Sequence, residues 1–115
     1  DANLFYIPFK AFNPETPTNN EIIRLMMHEL LHFQFFDYWE KNFKDRMSQG
    51  LVWDLSEILN CILLNLPELN KYFNMEEKAY KNHIDRYKDL KEIYPKCSSM
   101  KEFCEEAIKY LAKKG

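Results

Sequence analysis

The stretch IIRLMMHELLHFQFFDYW, residues 22–39, carries the pattern that decides the fold. Its apolar side chains recur at spacings of three and four residues, which is the period of an α-helix with one buried face. Within the stretch, His28, Glu29 and His32 form the pattern H-E-x-x-H. Side chains four positions apart share one face of a helix, about one turn from each other. The stretch therefore predicts an apolar helix that brings two histidines to one site.

The composition suits a mainly α, single domain over residues 1–115, or a piece of a longer chain. Apolar residues make up 46% and aromatic residues 16% of the sequence, which is too rich for disorder. Only two glycines are present, which argues against an all-β fold with many tight turns. The 16 basic and 18 acidic residues are well mixed, so no charged surface is expected for nucleic acid or a membrane. Three cysteines without a C-x-x-C pair favour a reducing, cytoplasmic location.

Turn and capping signals divide the chain into a short N-terminal β-strand and about five helices. Residues 3–12 alternate loosely between apolar and polar and include Pro8, which is typical of an edge strand. The motif helix is expected to start near Asn19 and to close within residues 45–51, with Gly50 as the break. Further helices are predicted at 51–65, from Pro67 onward, at 74–94 and from Ser99 to the C-terminal AKKG.

The motif has a direct chemical interpretation. Two imidazoles at His28 and His32 can hold one zinc ion at roughly 2.0–2.1 Å per bond. Glu29 points about 100° away around the helix, from where its carboxylate can reach a metal-bound water as a general base. Three such groups inside an apolar helix are costly without partners, and a metal is one way to satisfy them. The alternative is that all three are hydrogen-bonded core residues without a metal.

Residues 28–32, HELLH, resemble the motif of the zincin metallopeptidases. The metzincin branch extends this motif with Gly and His at the third and sixth positions after the second histidine. Phe35 and Tyr38 stand at these positions here, which excludes that branch. The resemblance therefore points to the gluzincins, and it implies a zinc-dependent peptidase that uses Glu29 for water attack on a peptide bond.

Gluzincins take their third zinc ligand from a glutamate on the next helix. Residues 53–57, WDLSE, look like the aromatic-led stretch in which gluzincin aminopeptidases carry that ligand, and they offer Glu57. The stretch departs from the family in having Ser56 where those enzymes have Asn. The ligand set that the resemblance implies is His28, His32 and Glu57, while Asp37 and His83 are the other candidates for the third ligand.

Further residues are candidates for supporting roles. Asp54 lies one turn before Glu57 on the same face and could orient a histidine through its second ring nitrogen. Its alternative role is that of an acid favoured by the dipole at a helix N-terminus. In gluzincins an edge strand pairs with the bound peptide through its main chain, and the resemblance implies that the segment 5–10 has this role. A donor to the oxyanion is also expected, and the candidates are Tyr72, Tyr80, His83 and Tyr87.

Two other functions stay open beside a peptidase that acts on a peptide or protein substrate. One is a zincin-like domain that binds metal without catalysis. The other is a metal-free helical module, whose aromatic run at residues 33–39 meets a partner or the remainder of a longer chain.

Helix length sets a condition on the proposed zinc site. If the motif helix ran to Met47 before a hairpin at Gly50, His32 would lie about 27 Å from the turn and Glu57 only about 10 Å from it. The ligands then could not meet. The zinc site therefore requires the first helix to end or bend at residues 38–43, or the next helix to cross it steeply.

Overall fold

The structure is a computed structural model that describes residues 17–73 and 78–114. Within these residues the chain is helical and contains no β-strand, which confirms the mainly α prediction. The predicted strand at residues 3–12 lies outside the described residues. The five helices are α1 (Pro17–Asn42), α2 (Gln49–Leu64), α3 (Pro67–Phe73), α4 (Ile84–Ile93) and α5 (Met100–Lys114), with 3-10 turns at Lys81–His83 and Tyr94–Lys96 on either side of α4.

The first helix ends earlier than the predicted break within residues 45–51. α1 stops at Asn42, and residues 43–48 form a turn in which Asp45 adopts the left-handed conformation with φ 66°. A short polar side chain tolerates this conformation, which a helix cannot continue through. Phe43 starts the turn and is only 2% exposed, so the chain turns inward there. Core burial and one left-handed residue therefore end the helix without glycine or proline.

Gly50 was predicted as the break, but it lies in the first turn of α2. Ser48 is the N-cap of that helix, and its hydroxyl accepts a hydrogen bond from the Leu51 N–H at 3.3 Å. His32 is ten residues before the end of α1, and Glu57 is eight residues after the start of α2. At about 1.5 Å per residue these positions lie about 15 and about 12 Å from the turn. The condition that a zinc site would set is met, because the two candidate ligands are level with each other.

The helix predicted at residues 74–94 is shorter in the structure. Residues 78–80 are not helical, Lys81–His83 form a 3-10 turn, and α4 begins only at Ile84. Tyr80 is extended, with φ −61° and ψ 148°, and the side chain of His83 is held against α2. Pro95 lies in the 3-10 turn that follows α4. The contact between His83 and Asp54 of α2 joins residues that are far apart in the sequence, so nearby residues do not predict it. This contact explains why the helical pattern of residues 74–94 does not form one continuous helix.

α2 lies at the centre of the fold and packs against α1, α3 and α4. All of its residues from Leu55 to Ile62 are buried. α5 begins as predicted, because the Ser99 hydroxyl accepts the Glu102 N–H at 3.1 Å. The main core joins buried side chains of α1, α2, α4, α5 and the first turn: Phe35, Trp39, Phe43, Val52, Leu55, Ile58, Leu59, Ile62, Leu90, Phe103, Cys104, Ala107 and Leu111. Of the helices described, none has the length and apolar character needed to cross a membrane.

Candidate metal centre

The side chains of His28, His32 and Glu57 converge between α1 and α2. The Nε2 atoms of the two histidines lie 3.2 Å apart. Glu57 Oε1 lies 3.2 Å from Nε2 of His32, and Oε2 lies 4.0 Å from Nε2 of His28. One ligand atom from each residue can be chosen so that all lie within 4.8 Å of one another. The two predicted histidines and the predicted glutamate therefore form a group that could hold a metal ion.

These distances match the geometry of a single ion. Two ligands at about 2.05 Å from a tetrahedral zinc lie about 3.3 Å apart along the edge of the tetrahedron. The separations of Nε2 of His32 from Nε2 of His28 and from Glu57 Oε1 are both 3.2 Å. The approach of Glu57 to His28 is longer, at 4.0 Å through the other carboxylate oxygen, and it would have to shorten around an ion. The donor set of two imidazoles and one carboxylate fits a first-row divalent metal.

One face of α2 supplies the surroundings of both histidines. Trp53, Ser56, Glu57 and Asn60 follow each other at spacings of three, one and three residues, so they share a side of the helix. Ser56 Oγ lies 2.6 Å from Nδ1 of His32. The Asn60 side-chain amide donates to the backbone carbonyl of His28 at 3.0 Å. α2 therefore contacts the His32 ring and the backbone at His28, and it also carries the third candidate ligand, Glu57.

The ring of His32 is buried in an aromatic stack. Its plane is tilted by only 4° from that of Trp53, with ring centroids 5.4 Å apart. Phe36 stacks on the same ring with centroids 6.1 Å apart. Burial lowers the pKa of His32 below its ordinary value of 6.5, and the positive charge of His28 acts in the same direction, while Glu57 and Glu29 act against it. The imidazole is therefore held in the neutral form, which is the form that binds metal.

Asp54 was considered as a residue that orients His28 or His32, but its hydrogen bonds go to other side chains. Its carboxylate bonds His83, with Oδ1 3.2 Å from Nε2, and accepts from Arg86 through Oδ2 at 3.2 Å. The residue that hydrogen-bonds the candidate ligand His32 is Ser56 instead. His83 is 5% exposed, so it is a buried histidine paired with a carboxylate, and it lines the same cavity as the candidate ligands His28 and Glu57.

A small cavity of about 80 Å³ opens beside the candidate ligands. That volume exceeds the ~10–15 Å³ that a single water needs. Two of the four candidate oxyanion donors, Tyr80 and His83, lie in its wall. The full lining is His28, Glu57, Ile58, Cys61, Lys78, Ala79, Tyr80 and His83.

The remaining candidates lie elsewhere. Tyr87 accepts a hydrogen bond from the Asn65 side chain at 3.1 Å. Asp37 pairs with Lys41 at 3.0 Å on the exposed side of α1, away from the metal group. The side chain of Tyr72 lies outside the described residues. Glu29 is exposed and is not part of the cavity lining, although its negative charge partly opposes the lowering of the pKa of His32 that burial causes.

Two contributors to the site were not identified from the sequence. Ser56 was noted only because gluzincin aminopeptidases, which this stretch of sequence resembles, have Asn there, and Asn60 was not noted. Their spacing from Glu57, one residue before and three after, places them on the same side of α2. Polar residues with that spacing on an otherwise apolar helix are the signal that could have identified them.

Comparisons of this chain with protein-family models, with curated proteins and with solved structures found no match.

Proposed function

We propose that this protein is a zinc-dependent peptidase of the gluzincin type. The observation that carries the proposal is the meeting of His28, His32 and Glu57, with ligand atoms within 4.8 Å of one another, although Glu57 comes from a different helix. The proposed substrate is a peptide or protein, and the proposed function involves neither nucleic acid nor a membrane. A cytoplasmic location stays a prediction from the cysteine content.

The choice of zinc follows from the donor set. Two histidines and one glutamate are the ligands of several catalytic zinc sites, which leave a fourth position open for water or substrate. The cavity at His28 and Glu57 provides space for that position. The same donor set also suits non-haem iron, so the metal has to be identified by measurement. Zinc, when bound, would lower the pKa of a water towards about 7 and polarise the substrate carbonyl.

The protein's own residues would then have distinct roles. Glu29, next to His28 on α1, would accept the proton of the attacking water. His83 and Tyr80 line the cavity and would donate hydrogen bonds to the oxyanion that develops on the substrate carbonyl. Asp54 accepts a hydrogen bond from Nε2–H of His83, so Nδ1 would donate to the oxyanion from the imidazolium form of the ring, which carries a proton on both nitrogens. Ser56 and Asn60 keep the ligands on α1 in place from α2.

The test combines metal analysis with a peptide-cleavage assay. Wild-type protein, Glu29→Gln, His32→Ala and the exposed control Glu92→Gln are purified without chelator and analysed for first-row metals. We expect about one zinc per chain in all but His32→Ala. Cleavage of a mixed peptide library should be present in the wild type and the control, and absent in Glu29→Gln and His32→Ala. Cleavage that survives in Glu29→Gln would contradict the proposed base.

A metal-binding domain without catalytic activity is the second candidate. It is favoured by one observation: Glu29 is exposed and does not line the cavity next to His28 and Glu57. This candidate predicts one zinc per chain and no cleavage even in the wild type. A metal-free helical module would instead show no metal uptake, and His32→Ala would then leave the metal content unchanged.

A further inference from the structure

We propose that Ser56 is a positioning residue, which lets His32 exchange one proton between its two ring nitrogens as metal enters; this rests on the metal site proposed above. Ser56 Oγ lies 2.6 Å from Nδ1 of His32, and the serine is fully buried at 0% exposure. Solvent cannot take its place at that nitrogen. The hydroxyl group can act as donor or as acceptor, and this property is what the site uses.

Without metal, the proton of His32 belongs on Nε2. That nitrogen lies 3.2 Å from Glu57 Oε1, and an ionised carboxylate can only accept a hydrogen bond. Nε2–H therefore donates to Glu57. A neutral imidazole then has a lone pair at Nδ1, so the Ser56 hydroxyl must donate its hydrogen to that atom.

With metal, the same imidazole has to carry its proton on the other nitrogen. Nε2 of His32 faces Nε2 of His28 at 3.2 Å, so these are the atoms directed at the metal position. A ligating Nε2 offers its lone pair, and the proton must then be on Nδ1. Nδ1–H donates to Ser56 Oγ, whose own hydrogen rotates away. One proton has left Nε2 and one has arrived at Nδ1, so the charge of the ring is unchanged.

A serine hydroxyl can hydrogen-bond Nδ1 of His32 with and without metal, because it can donate or accept. A side chain that can only donate or only accept could bond Nδ1 in one of the two states. A carboxylate at this position would accept from Nδ1–H but could not donate to the bare nitrogen. Alanine would leave a buried ring nitrogen without a partner in both states, which is unfavourable. Stacking of Trp53 on His32 with an interplanar angle of 4° fixes the plane of the ring, so Nδ1 stays directed at Ser56 while the proton changes sides.

The test measures zinc affinity by competition with a chelator and the tautomer of His32 by ¹⁵N NMR. The variants are Ser56→Ala, Ser56→Thr and the matched control Ser48→Ala, which removes a hydroxyl from the N-cap of the same helix. We expect Ser56→Ala to bind zinc about 10–100-fold more weakly, as is typical when a partner of a ligating histidine is removed. Ser56→Thr should restore part of that loss, and Ser48→Ala should bind zinc like the wild type. Alanine is the best helix former, so weaker binding would not result from a lost helix.

The NMR signature separates positioning from a general structural effect. In the wild type, zinc should move the His32 proton from Nε2 to Nδ1 and give a slowly exchanging Nδ1–H resonance. In zinc-bound Ser56→Ala that resonance should move to a lower proton chemical shift, because Nδ1–H has lost its hydrogen-bond acceptor. Wild-type zinc affinity in Ser56→Ala, ligation through Nδ1, or no zinc uptake by the wild type would each overturn the inference. If zinc binds as expected and no peptide is cleaved, the peptidase proposal fails and the inference about Ser56 stands.

Discussion

Glu57 Oε1 lies 3.2 Å from Nε2 of His32, although the two residues belong to different helices. Both side chains are buried, at 9% side-chain exposure each. A carboxylate buried against two histidines without a metal is costly, because its negative charge has lost its water. The buried pair is therefore expected to lower the free energy of unfolding of the metal-free protein, and a bound cation would raise it again.

Replacing Glu57 tests the third ligand directly. Glu57→Gln keeps the size of the side chain but removes its charge, so zinc affinity should fall by more than the about 100-fold that a supporting residue contributes. The stability of the metal-free protein should not fall, because an uncompensated buried charge is removed. Chelator competition measures the first effect and urea unfolding the second. Glu92→Gln, at an exposed position of α4, should change neither; equal zinc affinity in both variants would exclude Glu57 as a ligand.

Zinc should raise the thermal stability of the protein. A ligand that binds only the folded state at 100 times its Kd adds about 2.7 kcal/mol. For a domain of about 100 residues each kcal/mol is worth about 4 °C or more in Tm, so a rise of about 10 °C is expected. Differential scanning calorimetry with zinc and then with excess chelator measures the shift and its reversal. His32→Ala should show no such shift. An unchanged Tm of the wild type on addition of zinc would contradict the proposed metal site.

Asp54 should matter for stability and not for metal binding. Asp54→Asn weakens the contacts to His83 and Arg86, and we expect the free energy of unfolding to fall by about 1–3 kcal/mol. Zinc content should stay at that of the wild type, because Asp54 contacts neither His28 nor His32 among the hydrogen bonds described. Asp85→Asn, exposed in the first turn of α4, is the matched control for removal of a carboxylate. Loss of zinc in Asp54→Asn, with zinc retained in Asp85→Asn, would show that Asp54 does help to orient a metal ligand.

The fold depends on α2 as its central helix. Leu55 is 0% exposed within the main core, so Leu55→Ala should lower the free energy of unfolding by about 2–5 kcal/mol. Leu25 lies on α1 with 59% exposure, and Leu25→Ala should change the same quantity by less than about 0.5 kcal/mol. Urea unfolding of the two Leu→Ala variants compares a buried and an exposed site with the same chemical change. Similar losses in both would mean that α2 is not buried as described.

Alkaline conditions should destabilise the protein through Tyr110. Burial, together with the hydrogen bond to Asp89, raises the pKa of Tyr110 from 10.0 to about 12. Because the folded protein has the higher pKa, its contribution to stability is complete below pH 10 and is lost as the pH rises towards 12. Unfolding measured from pH 8 to pH 12 should show this decline, and Tyr110→Phe should show less of it. An identical decline of stability in Tyr110→Phe would mean that other groups cause it. Cys104 would be the first of these to test, because burial raises the pKa of its thiol to about 12 as well.

Local signals in the sequence were sufficient for several elements. The apolar period of α1, the proline that begins α3 and the Ser99 and Glu102 cap of α5 all depend on neighbours within a few residues. The end of α1 could not be predicted in this way. No glycine or proline marks Asn42, and the chain turns there because Phe43 is buried and Asp45 accepts a left-handed conformation.

The sequence by itself determined that His28 and His32 share a helix face, because the pitch of an α-helix brings residues four apart together. It also placed an acid, Glu57, on the next apolar helix. Only the tertiary structure decided that this acid reaches the histidines, that Ser56 bonds His32, and that Asp54 bonds His83 instead. These contacts depend on where α1 ends and on how α2 is rotated against it. Both are consequences of packing many side chains into one core, which no short stretch of sequence specifies.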